Sequence, residues 1–426
     1  MNALYNVIGR ILTGFIQLFS MPMLFNVLGT YNYGVFASLS VVFVATQIFD
    51  FGVGKSVIRL MANNKVPSSV TFSALLLMTI VICVTLLILS QLFWSLPFIE
   101  QRLDRIYQIA FIWGLLDIFR LLFIGKILYI KKFLLFNVVN VSVEIIKLLG
   151  IIFCGEYFSL IDFIIMFMSL SLLQTVIYLT VVFKQLTLKV SEFSLYFKVI
   201  KSNKSVFMEF SFANLVLKST FLVDKIMIWL AGTPEVFAIY HMAMQIFSKA
   251  GEIPQNIMIG FNTDIARNFN DENAIKLRRN IFDSIMYSLL FSFSAIIVIS
   301  FLGNQIIDLV IKERSEDIYG YINLLMLSLP FVVITMQIQN IMTVAGKVSS
   351  IYYIQLINLV VFIVGIFLFG DTSVMVSFVY IAIVTNVVVS IMAVRFLRNF
   401  NKKIYSKFLI YLILCAVLSL MFLYWI

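Results

Sequence analysis

The sequence predicts an all-α integral membrane protein: two six-helix lobes related by an internal parallel repeat, followed by an additional C-terminal helix. Three observations predict it. Apolar residues fill 62% of the 426 positions and charged residues only 12%, which leaves too little polar surface to cover a soluble domain of this size. The apolar residues gather in runs of about 20, the length that crosses a bilayer as a helix, and a helix pairs its own backbone groups where no water can. Lys and Arg concentrate in alternate connecting segments, the sidedness pattern of polytopic proteins.

In chain order the spans are expected at 6–28, 34–60, 69–94, 106–130, 134–154, 159–183, 206–230, 235–262, 281–302, 320–345, 349–369, 373–395 and 408–425. The first follows an N-terminus without a charged leader or a small-residue cleavage site, so it reads as a retained helix. Alternate loops plus Arg10 carry 22 Lys and Arg; the opposite set carries only Arg102, Arg105, Lys312 and Arg314. This bias places the N-terminus in the cytoplasm. Segment 303–319 is the longest expected outside loop. Pro22, Pro254 and Pro330 fall inside spans, where each removes a helix hydrogen bond and tends to kink the helix.

The net charge of +10 is spread over loops instead of forming a basic domain, which argues against nucleic acid as a partner. Cys83, Cys154 and Cys415 lie in or beside apolar runs with no ligand spacing, and His241 is the only histidine, so no metal site is expected. Gly54-Lys55-Ser56 ends like a phosphate-binding loop, but the required upstream glycine position is Phe49. No nucleophile elbow and no large extramembrane loop stand out. Neither an enzyme nor a cofactor is expected.

Two segments resemble each other. Leu28 to Phe36 joins the first two spans and Ala231 to Ile239 joins the seventh and eighth; both contain a Gly-Thr turn, at Gly29-Thr30 and Gly232-Thr233. Six spans precede the basic linker 184–205 and six follow it. An even number of spans per half gives both halves the same orientation, which is a parallel repeat. The expected organisation is therefore an N-terminal lobe at 1–183, a cytoplasmic linker at 184–205, a C-terminal lobe at 206–397 and an extra helix at 404–426.

Polar residues recur on single helix faces inside the spans. The first span carries Asn6, Arg10, Thr13, Gln17 and Ser20; the fifth Asn137, Asn140, Glu144 and Lys147; the seventh Ser211, Asn214, Lys218 and Lys225; the eighth His241, Gln245, Lys249, Glu252 and Asn256. Gln47 and Asp50 belong to the second span, and Trp113, Asp117 and Arg120 to the fourth. Each charge at the centre of a bilayer costs roughly 2.5–3.5 kcal/mol, so the intramembrane cations Arg120, Lys147, Lys218, Lys225 and Lys249 must face protein or water. Asp117 with Arg120, and Glu144 with Lys147, are spaced to pair within one helix. Lys218 has no acid within four residues. The stripes predict a hydrated cavity lined by Arg10, Arg120, Lys147, Lys218, Lys225 and Lys249 with the amides of Gln17, Asn214 and Gln245. Asp50, Asp224 and Glu252 are candidates for ion or proton coupling, because a carboxylate loses its charge on protonation.

The opening also resembles a family. Pro22 is followed by Leu28-Gly29 and Tyr33-Gly34, then by Asp50 and Gly52 and, downstream, Arg59. This series is similar to the start of bacterial O-antigen and polysaccharide flippases, in the MOP superfamily shared with MATE exporters and lipid II flippases. Gly232-Thr233-Pro234-Glu235 looks like the repeat of that start. The resemblance is strongest over the first 65 residues and over 205–265. It implies translocation of an undecaprenyl-diphosphate-linked oligosaccharide to the outer leaflet of the bacterial inner membrane, with Arg59 joining the substrate-binding cations. It also implies membrane lipids, the glycan polymerase and other assembly proteins as candidate partners. A diphosphate suits Lys and Arg, and a sugar chain suits Asn and Gln. A lipid II flippase, a MATE-like exporter and a polytopic polysaccharide polymerase are the alternatives. The intramembrane cations argue against an exporter of cations, and the short outside loop argues against a polymerase.

Overall fold

The computed structural model describes residues 2–50, 57, 60–61, 67–94, 105–183, 193–270, 274–344, 348–369, 374–398 and 402–425. Among them every regular element is an α-helix. In chain order these are α1 (Asn2–Ile48), α2 (Ser68–Trp94), α3 (Arg105–Tyr129), α4 (Phe133–Cys154), α5 (Leu160–Phe183), α6 (Phe193–Ser202) and α7 (Lys204–Ala231). They continue as α8 (Pro234–Asn270), α9 (Ala274–Val310), α10 (Ser315–Met326), α11 (Leu329–Val344), α12 (Val348–Phe369), α13 (Val374–Arg398) and α14 (Lys402–Trp425). Each expected span falls mainly on helix where it is described; Phe49 and Asp50 of the second span and Leu327 and Ser328 of the tenth are turns. Among the described residues, Leu12–Ile48, Ser68–Gln91, Phe133–Cys154, Leu160–Phe183 and Arg279–Val310 are long and apolar enough to cross a membrane, and the bent pair Ser315–Met326 and Leu329–Met342 adds a sixth candidate.

The chain forms two compact units, Met1–Ser20 with Val35–Leu222 and Met21–Gly34 with Val223–Ile426. The first helix therefore contributes to both. Its break is at Gly29, whose φ of 70° and ψ of 167° interrupt the helix. That left-handed φ is open to glycine and costly for residues with a Cβ, which explains why the Gly-Thr turn needs its glycine.

In the first unit, Phe72 and Leu75 of α2 pack with Leu122, Phe123 and Ile127 of α3 and with Tyr178 and Val182 of α5. Lys126 of α3 corrects an expectation. It is one of the 22 cations that the charge count assigns to alternate loops, yet it is buried, its Nζ 3.7 Å from Met61 Sδ and above the rings of Phe72 and Tyr129 at 5.3 and 5.4 Å. Aromatic faces attract a desolvated ammonium, so the cation sits where loop counting would not place it. The linker holds a second surprise, the short helix α6, whose Tyr196 and Val199 pack on Val70 and Ala74 of α2.

In the second unit, Ile281 and Ile285 of α9, Phe331, Ile334 and Ile338 of α11, Val389 and Ala393 of α13, and Phe408, Leu412 and Cys415 of α14 share one apolar core. The C-terminal helix is thus packed into this unit. The expected outside loop 303–319 is largely helix, because α9 runs to Val310 and α10 starts at Ser315. Only 311–314 connects them, with Arg314 at a φ of 55°. The expected kink at Pro330 is present as a 49° bend between α10 and α11. Pro330 is the second residue of α11 and cannot donate a backbone hydrogen bond to continue α10. Pro22 and Pro254 sit inside α1 and α8. Asn26 holds the connection between α9 and α10: its Nδ2 donates to Val310 O at 2.7 Å and its Oδ1 accepts from Lys312 N at 3.0 Å.

Candidate functional site

In the first unit, five helices feed polar side chains into one hydrogen-bonded chain. Gln47, at the C-terminal end of α1, is the junction. Its Oε1 accepts from Lys218 Nζ of α7 at 2.5 Å and its Nε2 donates to Asp117 Oδ2 of α3 at 2.6 Å. Asp117 is only 1% exposed and accepts from Arg120, one helical turn on. Arg120 Nη1 reaches across to Gln174 Oε1 of α5 at 2.9 Å. Gln174 donates to Asn140 of α4 and to the Tyr178 hydroxyl, and Tyr178 donates to Asn140 Oδ1 at 3.0 Å. Beside the junction, Asn214 Nδ2 of α7 donates to Asp50 Oδ1 at 2.7 Å and to the Gln47 carbonyl at 3.0 Å. Asn214 Oδ1 is buried and accepts nothing from the described residues.

Each position follows from helical spacing. Asp117 and Arg120 share a face of α3, Asn214 and Lys218 a face of α7, and Gln174 and Tyr178 a face of α5. Amides join the charges because each offers both a donor and an acceptor, so Gln47 takes a proton donor on one side and gives one on the other. Lys147 lies on α4 with Glu144, at 2.8 Å, and over the Phe167 ring at 5.7 Å.

The second unit holds a tighter group. Asp224 of α7 is buried; its Oδ2 accepts from the Tyr240 hydroxyl of α8 at 2.7 Å, and its Oδ1 accepts nothing from the described residues. His241 is buried one residue further on, with Nδ1 3.2 Å from the Tyr33 hydroxyl and Nε2 3.2 Å from Gln245 Nε2. Phe237 stacks on its ring and Phe25 meets Tyr33 edge-on. A Cβ on Gly34 would run into the Pro234 carbonyl, so the two Gly-Thr segments approach backbone to backbone here. Lys249 pairs with Glu252, one turn on, at 2.6 Å.

The structure therefore brings together Asp50, Arg120, Asn214 and Lys218; among the described residues it links Lys147 to Glu144 and Phe167, Gln245 to His241, Asp224 to Tyr240, and Lys249 to Glu252. Gln17 is half-buried on α1 and Lys225 half-buried on α7. The side chain of Arg10, and Arg59 altogether, lie outside the described residues, as do the side chains of Asn6 and Asn256. The intramembrane cations Arg120, Lys147 and Lys249 each carry a carboxylate three residues away, so local pairing accounts for much of their tolerance in an apolar setting. Gln174, Tyr178 and Tyr240 were not singled out by the sequence, and Tyr33 only as part of the family resemblance. A lone amide in the apolar run of α5 was the available signal for Gln174. Among the described residues no group of His, Cys, Asp and Glu can hold a metal ion.

Residues 1–259 match the polysaccharide biosynthesis protein family, and residues 210–368 match the MatE family. No curated protein matches the chain. Among solved structures, the lipid II flippase MurJ in an inward closed conformation superposes with a TM-score of 0.75 at 15% identity, over 98% of this chain and 92% of that one. An inward-facing multidrug resistance MATE transporter of the MOP superfamily gives 0.64 at 11% identity, over 96% and 95%. A MOP superfamily transporter from Pyrococcus furiosus, described as having a binding pocket of reversed polarity, gives 0.61 at 13%, over 92% and 93%. The fold is that of multi-pass MATE-like and MurJ-like transporters, and the internal two-lobe repeat is consistent with these neighbours.

Proposed function

We propose that this chain, which belongs to the polysaccharide biosynthesis protein family, is a flippase that carries an undecaprenyl-diphosphate-linked oligosaccharide from the cytoplasmic to the outer leaflet of a bacterial inner membrane. One observation carries the reading: the chain of amides and cations from Lys218 through Gln47, Asp117, Arg120 and Gln174 to Asn140. Amide groups can exchange hydrogen bonds with sugar hydroxyls, and Lys and Arg can exchange a carboxylate for a phosphate. The alternating-access cycle is coupled to an ion or proton gradient. Protonation of Glu252 would remove the charge that holds Lys249, freeing the ammonium for an anion. Asp50 and Asp224 are the other candidate couplers, and Arg10, Arg59, Lys147, Lys225, Gln17 and Gln245 complete the candidate binding set.

Deletion in the parent bacterium, followed by mass analysis of lipid-linked oligosaccharides and surface glycan, tests the function. The flippase reading expects the lipid-linked repeat unit to accumulate while surface glycan falls. Unchanged pools of both would refute it. Cysteines at 311–314 should label only from outside and those in 193–202 only from the cytoplasm; the reverse pattern would overturn the orientation.

The match of 210–368 to the MatE family supports a second reading, an exporter of small solutes. Drug resistance lost on deletion, with normal surface glycan, would select it. A lipid II flippase differs only in the saccharide on the same diphosphate, and the oligosaccharide that accumulates distinguishes the two.

A further inference from the structure

The short helix α6 has three faces with different chemistry. Tyr196 and Val199, 0% and 5% exposed, dock on Val70 and Ala74 in the first two turns of α2. With 3.6 residues per turn, Lys198 and Lys201 fall opposite that docked face, and both are exposed. Between the two lies an apolar flank, Phe193 and Phe197, 41% and 65% exposed. At its C-terminal end the backbone N–H and side-chain amide of Asn203 both donate to the Val199 carbonyl. The next helix begins at Lys204.

The place of α6 gives these faces a meaning. It lies across the beginning of a membrane-spanning candidate, Ser68–Gln91, within about 10 Å of that helix's end at 1.5 Å per residue. Amphipathic helices with aromatic and Lys faces lie in the membrane plane at the boundary between headgroups and acyl chains, and a helix docked on the first turns of a spanning helix is placed to do so. Two large aromatic side chains in water at this point would be costly, and nothing else described in the chain covers them.

We infer that α6 is a docking site for anionic phospholipid, with Phe193 and Phe197 in the acyl boundary and Lys198 and Lys201 at the phosphates. Charge selects the occupant: the polar face carries two lysines and no acid. Each such Lys near an anionic surface is worth a factor of about five in binding, so the pair together contributes about 25-fold. The interaction weakens as salt rises.

The test uses the full chain in nanodiscs of phosphatidylcholine containing a small fraction of either brominated phosphatidylglycerol or brominated phosphatidylcholine. Phe197→Trp provides the reporter, read as the difference from the parent protein. The new Trp should be quenched by both lipids, and more strongly by phosphatidylglycerol. Adding Lys198→Gln with Lys201→Gln should reduce that preference about 25-fold while quenching by phosphatidylcholine persists. Adding Lys198→Arg with Lys201→Arg should keep the preference. Equal quenching by the two lipids in the parent reporter, or a preference that survives in the Gln pair, would overturn the proposal. Absence of quenching by either lipid would also overturn it and would assign the Phe flank to a protein partner. The measurement reads no transport, so it is independent of the flippase reading.

Discussion

The two units hold the same kind of ion pair and use their remaining polar groups differently. Both contain a carboxylate and a cation three residues apart on one helix, Asp117 with Arg120 in the first and Glu252 with Lys249 in the second. In the first unit the pair is extended by Gln47, Gln174 and Asn140 until five helices share one hydrogen-bonded chain. In the second unit it stays on one helix, and the buried Asp224–Tyr240 and Tyr33–His241–Gln245 contacts form small groups near Lys225. A charge joined by amides to other helices depends on how those helices pack. A charge held by its own helix does not. The first arrangement suits a substrate site that changes as helices move, and the second suits a group that gains or loses one ion.

The largest effect that would break this comparison is expected at Arg120. Arg120→Ala leaves Asp117 buried without its cation, which costs about 3–5 kcal/mol and should show as lost abundance and an early melt in detergent. Replacing the pair together, Asp117→Asn with Arg120→Gln, should recover abundance without recovering transport. Next is Lys218, held by the neutral Gln47 amide. Lys218→Ala should lower transport about tenfold to a hundredfold at normal abundance, with Lys218→Arg retaining more, as read by surface glycan. Smaller again is Gly29→Ala, which forces a Cβ into left-handed backbone and should destabilise by about 1–2 kcal/mol in a thermal melt. The smallest change in stability is expected for Glu252→Gln, because Glu252 is 41% exposed and its pair is screened, so the melt should shift by less than about 1 kcal/mol. Transport in that variant should nevertheless lose its dependence on the gradient.

Much of the local detail was legible in the sequence because it is periodic. Three-residue spacing announced the Asp117–Arg120 and Glu144–Lys147 pairs, Pro330 announced the bend after α10, and Gly29 announced the break in α1. The joins between helices were not legible. Gln47 meets Lys218 across 171 residues and Arg120 meets Gln174 across 54, and helix periodicity says nothing about which faces meet. Lys126 misled loop counting because its ammonium is sheltered by Phe72, Tyr129 and Met61. The helix α6 was hidden because the lysines around it made the whole linker read as one charged segment.

If the amide-linked chain of the first unit acts as one site, its members are energetically coupled. A double-mutant cycle in proteoliposomes loaded with a lipid-linked oligosaccharide tests this, pairing Lys218→Ala with Gln174→Leu, two positions joined through Gln47, Asp117 and Arg120. Independent positions add to within about 0.5 kcal/mol, whereas members of one network couple by more. Each single change should slow flipping and the pair should slow it little further, a coupling of about 1 kcal/mol or more. Additive losses, or full flipping activity in both single variants, would contradict it.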